Sequence, residues 1–255
     1  MIEKHFRSLV EVIKKLRGPE GCPWDREQNL YSLKANIIEE VYELVDALDT
    51  KDMDNIKEEL GDLLLHIIFH SIVAEEDGLF TLQNVIENIK EKLINRHPHV
   101  FGDVKVKNSA EVLKNWEKIK KTEKNNRNSI FDSVPESLPS IEKALKLQKK
   151  AKTYGFDFEN LSDAIKKVEE ELEELKDTIR EERENLIREE LGDLLFSVIN
   201  VGRLLNINPD ESLRGANQKF IKRIKFIESN LALLNKSMED VPLDELNTLW
   251  EKSKE

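Results

Sequence analysis

Glu40 and Glu43, followed by Glu59 and Asp62, form an E-x-x-E and an E-x-x-D pair; the arrangement returns as Glu171, Glu174, Glu190 and Asp193. On a helix, side chains three residues apart share a face. Each pair therefore presents two carboxylates side by side, and two antiparallel helices joined by a short turn bring all four together. Four carboxylates converging in a partly apolar groove repel one another and lose solvation unless a counter-charge joins them. A divalent cation relieves that repulsion, and all-oxygen ligation suits Mg²⁺, with Mn²⁺ as a substitute.

Helices are the elements needed to position these groups, and the apolar pattern supplies them. Leu33, Ile37, Val41, Leu44 and Leu48 make one stripe, Thr50 to Asp54 is a polar break, and a second helix runs from about Asn55 to Ala74. In that second helix Leu60, Leu63, Leu64, Ile67 and Ile68 cover one side and Leu65, Phe69 and Ile72 the other, so Glu59 and Asp62 occupy a narrow polar stripe on a helix expected to be buried. Leu191, Leu194, Leu195, Phe196, Val198 and Ile199 repeat the pattern around Glu190 and Asp193, and Ser162 reads as the cap of the preceding helix. Gly61 and Gly192 each cost about 1 kcal/mol relative to Ala in a helix, which implies close approach of another helix. In a chain that is 36% charged a Glu-rich helix is ordinarily a solvated face; an apolar surround makes that plain explanation harder to sustain.

The strongest organisational signal is an internal repeat. EELGDLL stands at 58–64 and at 189–195, an offset of 131, and residues 39–64 match 170–195 at 13 of 26 positions without a gap. The chain thus reads as all-α, two homologous helical-bundle units in tandem: residues 1–122, a polar linker at 123–139 containing Pro135 and Pro139, and residues 140–255. Ile130, Phe131, Val134 and Leu138 suggest that the linker packs on something. Only 9 Gly and 7 Pro in 255 residues argue against a β sandwich or a doubly wound sheet.

The net charge of −11 disfavours nucleic acid and anionic membranes as partners, because grip on either needs a basic surface. It also means that a polyphosphate substrate requires a bridging cation. The single cysteine, Cys22, fits a reducing, cytoplasmic setting, and the apolar run at 63–74 is too short to span a membrane.

Taken together, the paired carboxylate helices and EELGDLL resemble the MazG family of nucleoside triphosphate pyrophosphohydrolases, within the all-α NTP pyrophosphohydrolases. GCPWDREQNLYSL (21–33) is similar to the family's Cys-Pro-Trp-Asp signature, with Asn29 in place of the more usual Thr. RHPHVFGD (96–103), NWEKIKK (115–121) and residues 130–158 extend the likeness over nearly the whole chain. The resemblance implies hydrolysis of an NTP to NMP and pyrophosphate, with Mg²⁺ on the four carboxylates, Glu39 or Glu170 acting on the attacking water, and a homodimer. It also implies phosphate contacts from Lys219 and Arg223, matched in the first unit by Lys92 and Arg96. Trp250 and Lys254 pair with Trp116 and Lys120 at the same spacing, as a base cover and a phosphate contact. The second unit is the favoured catalytic one. The rival reading is a non-catalytic acidic scaffold or nucleotide-binding regulator.

Other features are set aside. His66 and His70 are replaced by Ser197 and Val201 in the repeat and read as core or supporting histidines. His97 and His99 shape a loop end. No E-x-x-H pair accompanies the carboxylates, which disfavours a di-iron site. Cys22 has little to make it a thiolate.

Overall fold

The computed structural model describes residues 1–122 and 129–254, and every regular element among them is helical. Contacts divide the chain into two units, Met1–Asn125 and Asn126–Glu255. The first contains α1 (Ile2–Arg17), α2 (Pro23–Glu27), α3 (Lys34–Thr50), α4 (Met53–Glu76), α5 (Leu82–Arg96), α6 (Pro98–Phe101) and α7 (Ser109–Thr122). The second contains α8 (Ser140–Thr153), α9 (Leu161–Arg180), α10 (Glu184–Leu204), α11 (Pro209–Ala232), a 3-10 turn at Met238–Asp240 and α12 (Leu243–Lys252).

The repeat folds as two helical hairpins, α3–α4 and α9–α10. Each turns at a left-handed residue, Lys51 at φ 58° and Glu182 at φ 54°, 131 positions apart. A left-handed residue ends a helix within one step and satisfies its last carbonyls: Lys51 N–H donates to the Leu48 carbonyl at 3.2 Å. The Asp52 carboxylate then accepts from the backbone N–H groups of Asp54 and Asn55 and starts α4. The cap of α9 is Asn160, whose side chain accepts from Asp163 N–H, and not Ser162 as expected.

In the first unit Ile13 of α1 packs with Ile68, Phe69, Ile72 and Val73 of α4. Arg17 closes the same contact with a 2.6 Å ion pair to Glu76 and a guanidinium 5.0 Å from the centre of the Phe69 ring. In the second, Ala144 and Leu145 of α8 pack with Ile199 of α10, while Ile227 and Leu231 of α11 pack with Val241 ahead of α12. Both units therefore bury the C-terminal halves of their second hairpin helices.

The N-terminal halves, which carry the acidic pairs, are not buried as expected. Leu60 is 54% exposed and Leu191 48%, and one exposed apolar face continues past the helix midpoints at Ile67, Leu195 and Val198. Gly61 and Gly192 have open space where a Cβ would stand, with no neighbouring atom among the described residues within 4 Å, so the expected close approach of another helix is not seen there. The reason is geometric: the flanking helix of each unit reaches only the buried end, and alternating apolar sides do not reveal where a neighbouring helix stops.

Part of the proposed linker, 123–128, lies outside the described residues. Across 129–139 the chain forms turns, with Val134 buried.

Candidate active site

Three of the four acidic groups converge in each hairpin. Carboxylate oxygens of Glu171, Glu174 and Glu190 lie within 4.8 Å of one another, as do those of Glu40, Glu43 and Glu59. Ligands across a Mg²⁺ ion at about 2.1 Å each stand roughly 4.2 Å apart, so these sets need only slight closure around one ion. Hard, all-oxygen donors of this kind fit Mg²⁺ or Mn²⁺. Asp62 and Asp193 fall outside the 4.8 Å groups, yet both are close enough to act electrostatically on them.

The electrostatics of convergence are visible in the first unit. Burial, then the charge of Asp62, a hydrogen bond and charge from Glu43, and the charge of Glu59 push the Glu40 carboxyl up to about 7 from an ordinary 4.5. Partial desolvation and the charges of Glu43 and Asp62 raise Glu59 as well. His66 is buried with Nε2 3.7 Å from Glu40 Oε1, and its position among apolar neighbours lowers its pKa. It supports the cluster from the core side, in keeping with its reading from sequence.

The second unit has a different neighbour. Lys167 Nζ stands 2.7 Å from Glu171 Oε1 and 2.8 Å from Glu170 Oε1. These hydrogen bonds raise the Lys167 pKa, fixing it as an ammonium. Glu190 is shifted upward, first by desolvation and then by Glu174, Glu171 and Asp193. Lys167 escaped the sequence reading because its repeat counterpart is Asn36, and a search for shared chemistry discards unshared residues. Its place three and four residues before Glu170 and Glu171 was the signal available.

Glu171, Asp193 and Lys167 open onto a cavity of about 950 Å³ within the second unit. Its remaining wall is mostly apolar and includes Phe131, Phe156, Phe158 and Phe196. At the far end Arg203, its side chain only 4% exposed, pairs with Asp157 and donates from Nε to Asn200 Oδ1 at 2.7 Å. Burial works against the Asp157 charge, but the bonds and charge of Arg203 hold that carboxyl below its usual range.

The remaining candidates occupy the outer helices. In the second unit the Arg223 guanidinium is 5.2 Å from the centre of the Trp250 ring, which also meets Phe220 at 5.5 Å. In the first, Arg96 and Lys120 each lie 5.5 Å from the Trp116 ring centre. The repeat thus preserves an Arg–Trp contact between helices. Lys219 and Lys92 are exposed on α11 and α5, and Lys254 is paired with Glu251. None of Lys219, Arg223, Trp250 and Lys254 lines the cavity. Glu39 and Glu170 are exposed beside their clusters.

The MazG nucleotide pyrophosphohydrolase domain matches this chain twice, over residues 28–101 and 156–227. A Thermotoga maritima protein named nucleoside triphosphate pyrophosphohydrolase/pyrophosphatase MazG is 44% identical over 250 residues, covering 98% of this chain and 95% of that one. The Escherichia coli K12 nucleoside triphosphate pyrophosphohydrolase is 38% identical over 251 residues, 96% of this chain and 95% of its own length. Bacillus subtilis YabN is 45% identical over 257 residues, and the chain spans 53% of its length. Two matched domains fall on the two hairpins that gather the carboxylates, and the chain belongs to the MazG nucleotide pyrophosphohydrolase family.

Proposed function

We propose that this protein hydrolyses nucleoside triphosphates to nucleoside monophosphate and pyrophosphate, with broad tolerance of the base, and that the second unit is the catalytic one. The observation that carries this reading is the convergence of Glu171, Glu174 and Glu190 beside a cavity large enough for a nucleotide. The names of the relatives agree with it.

Glu171, Glu174, Glu190 and Asp193 would hold Mg²⁺, with Mn²⁺ as a substitute; bound there, the cation neutralises phosphate charge and lowers the pKa of a water. The chain's own residues do the rest. Lys167 supplies a fixed positive charge at the cavity wall, where phosphate oxygens compete with Glu170 and Glu171 for its protons. Glu170, next to the metal-holding Glu171, orients the attacking water and takes its proton. Lys219, Arg223 and Lys254 extend the positive surface for the phosphates, and Trp250 holds Arg223 in place. In the first unit Glu40, Glu43, Glu59 and Asp62, with Glu39, Lys92, Arg96, Trp116 and Lys120, form the equivalent set.

The exposed apolar faces around Gly61 and Gly192 support a homodimer, in which a second copy covers what this chain leaves open. No described helix is long and apolar enough to cross a membrane.

Incubation of the purified protein with mixed NTPs and Mg²⁺, followed by separation of products, tests the reading. NMP with pyrophosphate supports it, NDP points to a phosphatase, and unchanged NTP leaves a scaffold or nucleotide-binding regulator.

A further inference from the structure

We propose that the apolar end of the second unit's cavity takes the nucleobase, and that Gln148 Oε1 accepts an N–H from its edge; this rests on the triphosphate reading above. Gln148 lines the cavity and is 6% exposed. Its Nε2 donates to the Phe196 carbonyl at 2.8 Å. A backbone carbonyl only accepts, so the amide nitrogen must face it and the orientation of the side chain is fixed. Oε1 then points elsewhere, buried and without a hydrogen-bond partner among the described residues. A buried acceptor in that state favours any ligand that brings a donor.

The surroundings specify the ligand. Phe156, Phe158 and Phe196 offer apolar walls suited to a flat ring. Arg203 is engaged by Asp157 and Asn200, so the reading edge is neutral. Because Asn200 Oδ1 accepts from Arg203, its amide nitrogen is left as a donor. On α10, Asp193 and Asn200 both line the cavity seven residues apart, about 10 Å along a helix. That separation matches a nucleoside whose phosphates lie at the carboxylates.

A lone acceptor has a specific consequence. Adenine and cytosine carry an exocyclic amine, guanine an N1–H and uracil an N3–H, so all four satisfy Gln148. The pocket therefore demands an N–H without choosing which base brings it, and so reconciles a defined contact with broad tolerance.

Purine riboside 5′-triphosphate, which resembles ATP but has no base N–H, provides the test. With the full chain and Mg²⁺, its kcat/KM is expected to be at least about tenfold below that of ATP, the loss falling on KM. Gln148→Leu should lower the efficiency on ATP far more than that on the analogue, bringing the ratio near one. Equal efficiency on both substrates in the unaltered protein overturns the proposal, a comparison that needs no variant to fold. A ratio that persists in Gln148→Leu overturns it too. Absence of AMP release from ATP defeats the triphosphate reading itself, whereas release at equal efficiency from both substrates defeats only the base pocket.

Discussion

Lys167 Nζ lies 2.7 Å from Glu171 Oε1, while the equivalent place 131 residues earlier belongs to Asn36. Two units with matching carboxylates therefore relieve the same repulsion differently. The second has a cation of its own. The first has none at that position, and its Glu40 shifts up to about 7, so it holds a proton through the acidic range.

If the second unit is catalytic, Glu190→Ala or Asp193→Ala should reduce Mg²⁺-dependent pyrophosphate release by about 100-fold or more, with helical content unchanged by circular dichroism. Glu59→Ala should retain most of the activity. Full turnover in both second-unit variants would transfer the reaction to the first.

The Glu40 shift makes metal-free stability depend on pH. Its folded-state pKa, about 7, exceeds the ordinary 4.5, so between those values the folded chain binds more protons than the unfolded one. The contribution of Glu40 to stability is then fully present below about 4.5 and is lost as pH rises to about 7. Thermal unfolding in chelator should show Glu40→Gln more stable than the parent at pH 8 and equal to it at pH 4. Added Mg²⁺ should raise the midpoint more at pH 8 than at pH 5, because the ligands must be deprotonated.

Lys167→Met removes the ammonium 2.7 Å from the Glu171 carboxylate while keeping much of the stem. At neutral pH without metal it should cost about 1.5–3 kcal/mol, the scale of a hydrogen bond to a charged group. Saturating Mg²⁺ should recover most of that in urea unfolding, while NTP turnover remains impaired.

Arg223 and Trp250 should separate activity from stability. Trp250 packs partly buried with the α11 core, and Trp250→Ala is expected to cost about 2–4 kcal/mol. Arg223→Ala loses a cation–π contact of about 0.5–1 kcal/mol but should lower NTP turnover at least about tenfold. Chemical denaturation and product release, measured on the same preparations, give both quantities.

For the proposed dimer, Leu191→Glu with Leu195→Glu places charge on two exposed apolar positions of α10. Light scattering should report a dimer for the parent and a monomer for the double variant. A parent that runs as a monomer rejects the assembly.

Much of the site was legible because it is local and repeated. Three-residue spacing put Glu171 beside Glu174 on one face, and the 131-residue offset gave the hairpin partner that carries Glu190. The matching of Arg96 with Arg223 and of Trp116 with Trp250 was also legible, but that each Arg meets its Trp across separate helices, within 5.5 Å, emerged only from the structure. Helical periodicity and the repeat together thus determined the helices, their pairing and which acidic side chains share a face, since periodicity sets the faces and the repeat sets the partners. Tertiary structure decided what periodicity does not encode: where a flanking helix ends, leaving Leu60 and Leu195 exposed, and which unshared residues enter the pocket. Lys167 could be placed beside Glu171 by spacing, but Gln148, 48 residues from the Phe196 carbonyl that orients it, acquires its role only when α8 packs on α10. Long-range packing fixes that orientation, and no local pattern carries it.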